Sequence, residues 1–333
     1  MAESRHESDQ SSHVLPVLPE SKLLLKNYVS RQSEARFDRF AYQLGHSRKS
    51  TSPDSVHDLR VSIRRYESCL AVFETFFPPR SVQKFQRRLR KVLKPAGAVR
   101  DSDIALDLAK AAGVINGAAL LQEIAKQREQ LAKAFRDDVK GWAKQNSSDK
   151  WRRRLAVATP DEDSKSKWNA AATSAENAAA VLPKLAGPFF RAGRKVAVPE
   201  APGKKLHRFR LKVKRFRYVL ELFGPCYGPR LDEHVGTLKE LQDHLGNIND
   251  CVFTLGMLAK PALKDLEGAE QLKAYLTERI QGERAAFLEF WERALSGPDT
   301  EQRWADYLER FAGRVSKPNH SCSAPVAPVR ASA

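Results

Sequence analysis

Residues 57–66 of the chain read HDLRVSIRRY, and residues 207–216 read HRFRLKVKRF. The two segments place His, Arg and further basic residues at the same positions, 150 residues apart. A second match follows at an offset of 149, where Gly97-x-x-x-Asp101 corresponds to Gly246-x-x-x-Asp250. Two separate blocks that recur at nearly one offset indicate an internal repeat. The sequence therefore predicts two similar halves.

Each segment has the periodicity of an amphipathic helix. Its apolar residues recur every three or four positions, which at about 100° per residue places them on one face. We expect these side chains to form the core, so the aromatic residues among them pack rather than stack on nucleotide bases. In the first half they are Leu59, Ile63, Tyr66, Leu70, Phe73 and Phe77, and in the second Phe209, Val213, Phe216, Leu220, Phe223 and Tyr227.

The opposite face of each predicted helix is basic. Between Lys204 and Arg217 there are eight Lys and Arg residues and no acidic residue. Like charges on a helix surface repel each other, and ordinary surfaces interleave both signs. Such a face predicts an anion-binding site, with a merely solvated basic face as the alternative.

The composition allows several anionic partners. The chain has 333 residues, a formal net charge of +17 and a hydrophobic fraction of 42%, which is enough for a sizeable core. Four cysteines lie far apart without a CxxC motif, which argues against a zinc site or a disulfide framework. The sequence has no apolar run of about 18 residues and no apolar signal core in residues 1–20. We therefore expect a cytoplasmic protein without a membrane span.

Helical periodicity extends through the rest of the chain and predicts an all-α fold. We expect residues 1–19 and 314–333 to be disordered tails, with half one at about 20–158 and half two at about 167–313. We expect a helix N-cap at Ser55, interruptions at Pro95 and Gly97, and a break at Gly224-Pro225. The predicted helices cover about 21–44, 55–77, 81–112, 116–145, 167–191, 203–223, 231–260, 261–295 and 300–312.

The pairing of HxxRxxxRR with HxxRxxxKRxR, each followed by GxxxD, resembles the conserved-histidine α-helical domain (CHAD) family. The resemblance covers about residues 20–313. It implies two four-helix bundles, related by a pseudo-twofold axis, around a basic cavity that binds inorganic polyphosphate without catalysis or a cofactor. Some bacterial members associate with polyhydroxyalkanoate or polyphosphate granules. The sequence shows no strand motif of a triphosphate-tunnel domain, so it resembles the stand-alone members.

The resemblance also implies the residues that hold polyphosphate. One position differs between the halves, because Glu67 stands where the second half has Arg217 and weakens the charge of the first motif. The implied binding residues are His57, Arg60, Arg64, Arg65, Lys91, Lys94, Arg100, His207, Arg210, Lys214, Arg215, Arg217 and Lys239.

Two other classes of function stay open. A nucleic-acid-binding or granule-surface protein could use the same basic faces, although stacking aromatic residues on those faces, which nucleic acid would favour, are missing. A metal-dependent phosphohydrolase would place His57, His207, Asp101 and Asp250 around a cation. The Arg and Lys neighbours of both histidines would repel that cation and disfavour the charged form of the imidazoles. We therefore predict no metal site and no catalysis, and expect the two aspartates to cap helices or orient arginines.

Overall fold

The structure, a computed structural model, describes residues 19–114, 117–145, 148–160 and 166–314. The predicted tails lie outside these ranges, apart from Pro19 and Arg314. Within them the fold is all-α, as predicted, with one isolated antiparallel bridge between Leu24 and Thr173. The helices are α1 (Leu25–Ser47), α2 (Pro53–Val72), α3 (Pro79–Ala111), α4 (Ala118–Gln145), α5 (Ser148–Arg154), α6 (Ser174–Val181), α7 (Pro183–Arg194), α8 (Gly203–Tyr227), α9 (Leu231–Leu258), α10 (Ala269–Leu295) and α11 (Thr300–Arg310).

The first repeated helix, α2, begins before its predicted N-cap. The N-cap is Ser52 and not Ser55, because the Ser52 side chain accepts a hydrogen bond from the Ser55 backbone N–H at 3.3 Å. Pro53 follows at the first helical position, where its fixed φ and missing N–H cost nothing. The proline was therefore the stronger start signal in this stretch.

Two prolines that were expected to interrupt helices lie inside them. Helix α3 runs continuously through Pro95, and α8 continues through Pro225 to Tyr227. An interior proline removes one helical hydrogen bond and costs about 3 kcal/mol, which tertiary packing can offset. Here Tyr227 is buried and its hydroxyl donates to the Leu308 carbonyl at 2.6 Å, which holds the last turn of α8 in place.

The first helix of the second half differs most from its prediction. It begins at Ser174 instead of residue 167, because Thr173 and Glu176 form a capping box there. The Thr173 hydroxyl accepts from the Glu176 backbone N–H at 3.2 Å, and the Glu176 carboxylate accepts from the Thr173 backbone N–H at 2.7 Å. The helix is then divided before Pro183 into α6 and α7. The helix predicted from residue 261 likewise begins later, at Ala269.

Both apolar stripes are buried in one core, which confirms their assignment. Helix α2 packs against α8, and α3 packs against α9, so the two halves share this core. Phe73 and Phe223, which occupy matched positions of the repeat, place their ring centroids 5.7 Å apart. The Trp168 ring stacks on Phe223 at 5.3 Å. Matched positions would meet in this way if the halves were related by a pseudo-twofold axis.

A smaller apolar cluster joins the C-terminal halves of α3 and α9. It includes Ala105 and Ala109 of α3 together with Met257 and Leu258 of α9. Helices α3 and α9 also pack against the basic helices α2 and α8 of their own halves. No helix in the described ranges is long and apolar enough to cross a membrane.

Candidate anion-binding site

Helices α2 and α3 of half one run side by side in one register. Arg100 of α3 acts electrostatically on His57 of α2, Arg60 lies against Gly97, and Arg90 acts on Glu67. From one pair to the next the residue number on α3 decreases as the residue number on α2 increases, as in an antiparallel helix pair. This register also brings Arg64 level with the α3 residues that lie one turn before Gly97.

Half two repeats the register. The His207 Nδ1 atom lies 2.8 Å from the Asn249 Oδ1 atom, and Arg210 lies against Gly246. His57 and His207 therefore occupy matched places with different neighbours. The pKa of His57 is lowered by partial burial and by the positive charge of Arg100, as the sequence predicted for a histidine in a basic setting.

The two glycines of the repeat, Gly97 and Gly246, are the positions where an arginine of the preceding helix lies against α3 or α9. A Cβ atom at Gly97 would lie 2.8 Å from the Arg60 Nη1 atom, closer than van der Waals contact allows. A Cβ atom at Gly246 would lie 3.9 Å from the Arg210 guanidinium, which is ordinary contact. The first half therefore needs glycine at this position more than the second half does.

The contact between α2 and α8 brings the cations of both halves together. Burial, together with the positive charges of Arg210, Arg64 and Arg60, lowers the pKa of Lys214 to about 8. Burial also lowers the pKa of Arg60, and the charges of Arg64 and Arg100 lower it further. We call Arg60, Arg64, Arg100, Arg210 and Lys214 the central basic cluster.

Two carboxyl groups lie beside this cluster, one from each half. Burial raises the pKa of Asp101, and the nearby charge of Asp250 raises it further. Burial also raises the pKa of Asp250, against the lowering influence of Arg210 and Lys214. Both aspartates lie inside helices, so the expectation that they cap helices was wrong. Among the described residues neither is within 4.0 Å of a basic nitrogen, so they act on the arginines through longer-range attraction.

The positive charge of the central basic cluster is left in excess. Its five cations face two carboxyl groups, both of them with raised pKa values. The Nε atom of Arg210 is buried and has no hydrogen-bond partner among the described residues. A buried donor without a partner costs about 1–3 kcal/mol, more if charged. A bound anion would remove both penalties.

The other predicted arginines of the two motifs have different surroundings. Arg65 of α2 and Arg217 of α8 both bind Glu221, at 3.2 Å and 2.8 Å. Arg217 also donates to Gln242 at 3.2 Å. Glu221 therefore ties the halves together and satisfies two guanidinium groups that were expected to hold phosphate. Its position four residues after Arg217 was the signal for this pair in the sequence.

A sequence model of the CHAD domain matches residues 31–259. The chain belongs to the CHAD family. Its fold resembles the crystal structure of the CHAD domain from the plant Ricinus communis, with a TM-score of 0.58 and 18% identity over 89% of this chain and 96% of that chain. It also resembles PptA from Streptomyces chartreusis, with a TM-score of 0.55 and 14% identity over 80% of this chain and 99% of that chain. No curated protein matches the chain.

The remaining predicted residues of this CHAD domain are exposed. Arg215 lies on the solvent side of α8, and Lys91 and Lys94 lie on α3 before Gly97. Lys239 lies two turns before Gly246 on α9. Arg90 is its counterpart in half one and was missed, although the offset of 149 pointed to it.

Two clefts in the described ranges have no residue of the central basic cluster in their lining. One, of about 550 Å³, lies between α9 and α10 and is lined by Glu240, Asp243, Glu283 and Arg279, among others. The second, of about 300 Å³, is lined by residues of α1 and α4 and the turn after α1. The enclosed basic cavity that the resemblance implied therefore stays a prediction. In the described ranges no three His, Cys, Asp or Glu side chains are grouped as a metal site.

Proposed function

We propose that this CHAD domain binds inorganic polyphosphate at the central basic cluster and does not catalyse a reaction on it. The observation that carries the proposal is the state of Lys214. Its ammonium group lies among Arg60, Arg64 and Arg210, and their charges together with burial lower its pKa to about 8. A folded protein that gathers cations in this way gains most from a multiply charged anion.

The residue types suit a chain of phosphates. Arginine presents a planar fork that donates two parallel hydrogen bonds to phosphate oxygens, whereas lysine acts as a point charge. The cluster combines four arginines with one lysine, and Arg210 has a free buried donor. A polyanion also releases condensed counterions when it binds, so its affinity should fall steeply with salt, with a log–log slope of about −0.7 per phosphate neutralised, by analogy with single-stranded nucleic acid.

Nucleic acid is the main competing ligand, and granule association is a further role for the same faces. The aromatic side chains of α2 and α8 that face the core are buried and cannot stack on bases. Tyr218 of α8 is half-buried, and the Arg217 guanidinium lies over its ring at 5.0 Å. Because the other aromatic rings of these helices face the core, this favours a ligand that is recognised mainly by its phosphates. Polyphosphate should therefore bind more tightly than single-stranded DNA of matched charge, and far more tightly than orthophosphate.

A double substitution tests the proposal directly. Arg210→Ala with Lys214→Ala should weaken long polyphosphate binding at least tenfold in a fluorescence titration at about 0.15 M salt, where exposed charges farther apart than about 8 Å are screened. The matched control is Lys204→Ala with Lys205→Ala, which removes the same charge from exposed positions of α8 and should cost less than threefold. Equal losses in both variants, or equal affinity of the wild type for DNA, would contradict the proposal.

The absence of catalysis is tested on the same samples. Purified protein with long polyphosphate and Mg²⁺ should release no orthophosphate above the buffer rate, and binding should not change in chelator. Metal-dependent release that disappears with the Arg210 and Lys214 substitutions would establish a phosphohydrolase instead.

A further inference from the structure

The two halves carry opposite charges at matched positions next to the central basic cluster. Lys91 and Lys94 of α3 correspond, at the offset of 149, to Glu240 and Asp243 of α9. All four side chains are exposed. The two halves therefore carry opposite charge beside the cluster. A polyanion that is longer than the cluster has to extend over one of these two surfaces.

The helical register places Lys94 beside the cluster. The pairs His57–Arg100 and Arg60–Gly97 set α2 against α3 so that Arg64 is level with Lys94, to within one residue. Lys94 lies one turn before Gly97 and about 60° around the helix from it, and Lys91 lies one turn farther out and about 120° around from Gly97. The two lysines therefore extend a line of positive charge away from Arg60 and Arg64.

The line continues toward the start of α3. Farther basic residues precede the two lysines on this helix, and the described residues give Lys91 and Lys94 no ion-pair partner. The basic residues of α3 before Lys91 are Arg80, Lys84, Arg87, Arg88 and Arg90.

The matching exit in half two is acidic. Asp243 occupies the place of Lys94, and Glu240, one turn farther out, pairs with Arg293 at 3.3 Å. Both acids line the cleft between α9 and α10, together with Glu283. Among the described residues, a phosphate chain that turned this way would meet the unpaired carboxylate of Asp243, the Glu240–Arg293 pair and Arg279, where the other direction offers unpaired ammonium groups.

We infer that a phosphate chain bound at the central basic cluster leaves it in one direction, over Lys94 and Lys91 of α3, and is kept off α9 by Asp243 and Glu240. The inference rests on the proposed function and adds a direction to it. The cluster itself holds short chains, and the α3 extension adds affinity only for chains long enough to reach it. The dependence of affinity on chain length thus comes from half one alone.

The experiment compares long polyphosphate with tripolyphosphate on the full chain. Lys91→Ala with Lys94→Ala should weaken binding of the long chain at least tenfold and change tripolyphosphate binding less than twofold. The salt slope for the long chain should also become shallower by about 1.4, the share of two phosphate contacts. Lys204→Ala with Lys205→Ala, which removes the same two charges from exposed positions of α8, is the control and should change the affinity for either ligand less than threefold.

The outcomes separate the inference from the proposed function. An unchanged long-chain affinity in the lysine variant, or an equal loss for both ligands, would overturn the direction. An equal long-chain loss in Lys204→Ala with Lys205→Ala would overturn it too, because net charge would then govern binding. If Arg210→Ala with Lys214→Ala leaves both ligands bound, the proposed function itself fails, whatever the lysine variant does.

Discussion

Replacing Lys214 by Met should stabilise the protein when no ligand is present. The pKa of Lys214 falls from its ordinary 10.5 to about 8, because burial and the positive charges of three neighbouring arginines disfavour its protonated form. Each pH unit of such a difference corresponds to about 1.36 kcal/mol, so the protonated ammonium costs the folded state about 3 kcal/mol at pH 7. Methionine keeps the apolar stem and removes the charge. The same substitution should weaken polyphosphate binding.

The sign of the pH dependence follows from proton binding. Between pH 8 and 10.5 the unfolded chain holds the Lys214 proton while the folded chain has lost it. The contribution of Lys214 to the free energy of unfolding therefore rises with pH through this window and is least favourable below pH 8. The stability gap between Lys214→Met and the wild type should be widest at pH 7 and should narrow toward pH 10.

Urea unfolding at pH 7 and pH 10, followed by circular dichroism, measures this gap. Lys212→Met, two residues away and exposed, is the matched control, and a substitution at such a surface position should change stability by less than about 0.5 kcal/mol. The reasoning is refuted if Lys214→Met is less stable than the wild type at pH 7, or if its gap is as wide at pH 10 as at pH 7.

Two further substitutions follow from the contacts around the cluster. Gly246→Ala should raise the free energy of unfolding by about 0.5–1 kcal/mol through helix propensity. Gly97→Ala should gain as much stability but lose several-fold in polyphosphate affinity, because a Cβ atom there would lie 2.8 Å from the Arg60 Nη1 atom and push the guanidinium aside. Identical polyphosphate affinities of the two variants in titration would contradict the packing. Glu221→Gln should lower stability by about 1–2 kcal/mol by removing the charge that two guanidinium groups share at 3.2 Å and 2.8 Å, and an unchanged melting temperature would show that this bridge between the halves contributes nothing.

The helical class and the core followed from local pattern, because apolar spacing is written in consecutive residues. The stripes through Leu59 and Phe209 are buried as predicted. The errors lie where local signals compete with tertiary contacts. Pro95 and Pro225 are helix breakers in isolation, yet packing on both sides keeps α3 and α8 continuous through them. The N-cap was predicted at Ser55, whereas it is Ser52, with Pro53 at the first helical position.

The site was predicted less completely than the fold. The sequence identified both basic faces and the GxxxD motifs, but it did not show that an arginine of each half lies on the glycine of its own half. It also gave no sign that Arg65, one of the predicted binding residues, shares the Glu221 carboxylate with Arg217. Arg65 and Glu221 are far apart in the chain, so their contact could not be read from spacing.

By itself, the sequence determined that the chain forms amphipathic helices, that they recur in two halves, and that one face of each repeated helix is strongly basic. These properties depend on residues within a few turns of one another. Only the tertiary structure decided which of those cations meet, because α2 and α8 come together across a core that both halves share. That contact leaves Lys214 among arginines without enough carboxylate to balance them, and it brings Arg65 and Arg217 to the single carboxylate of Glu221. Charge balance at a site is set by distances in space, and those depend on the packing of helices more than 100 residues apart in sequence.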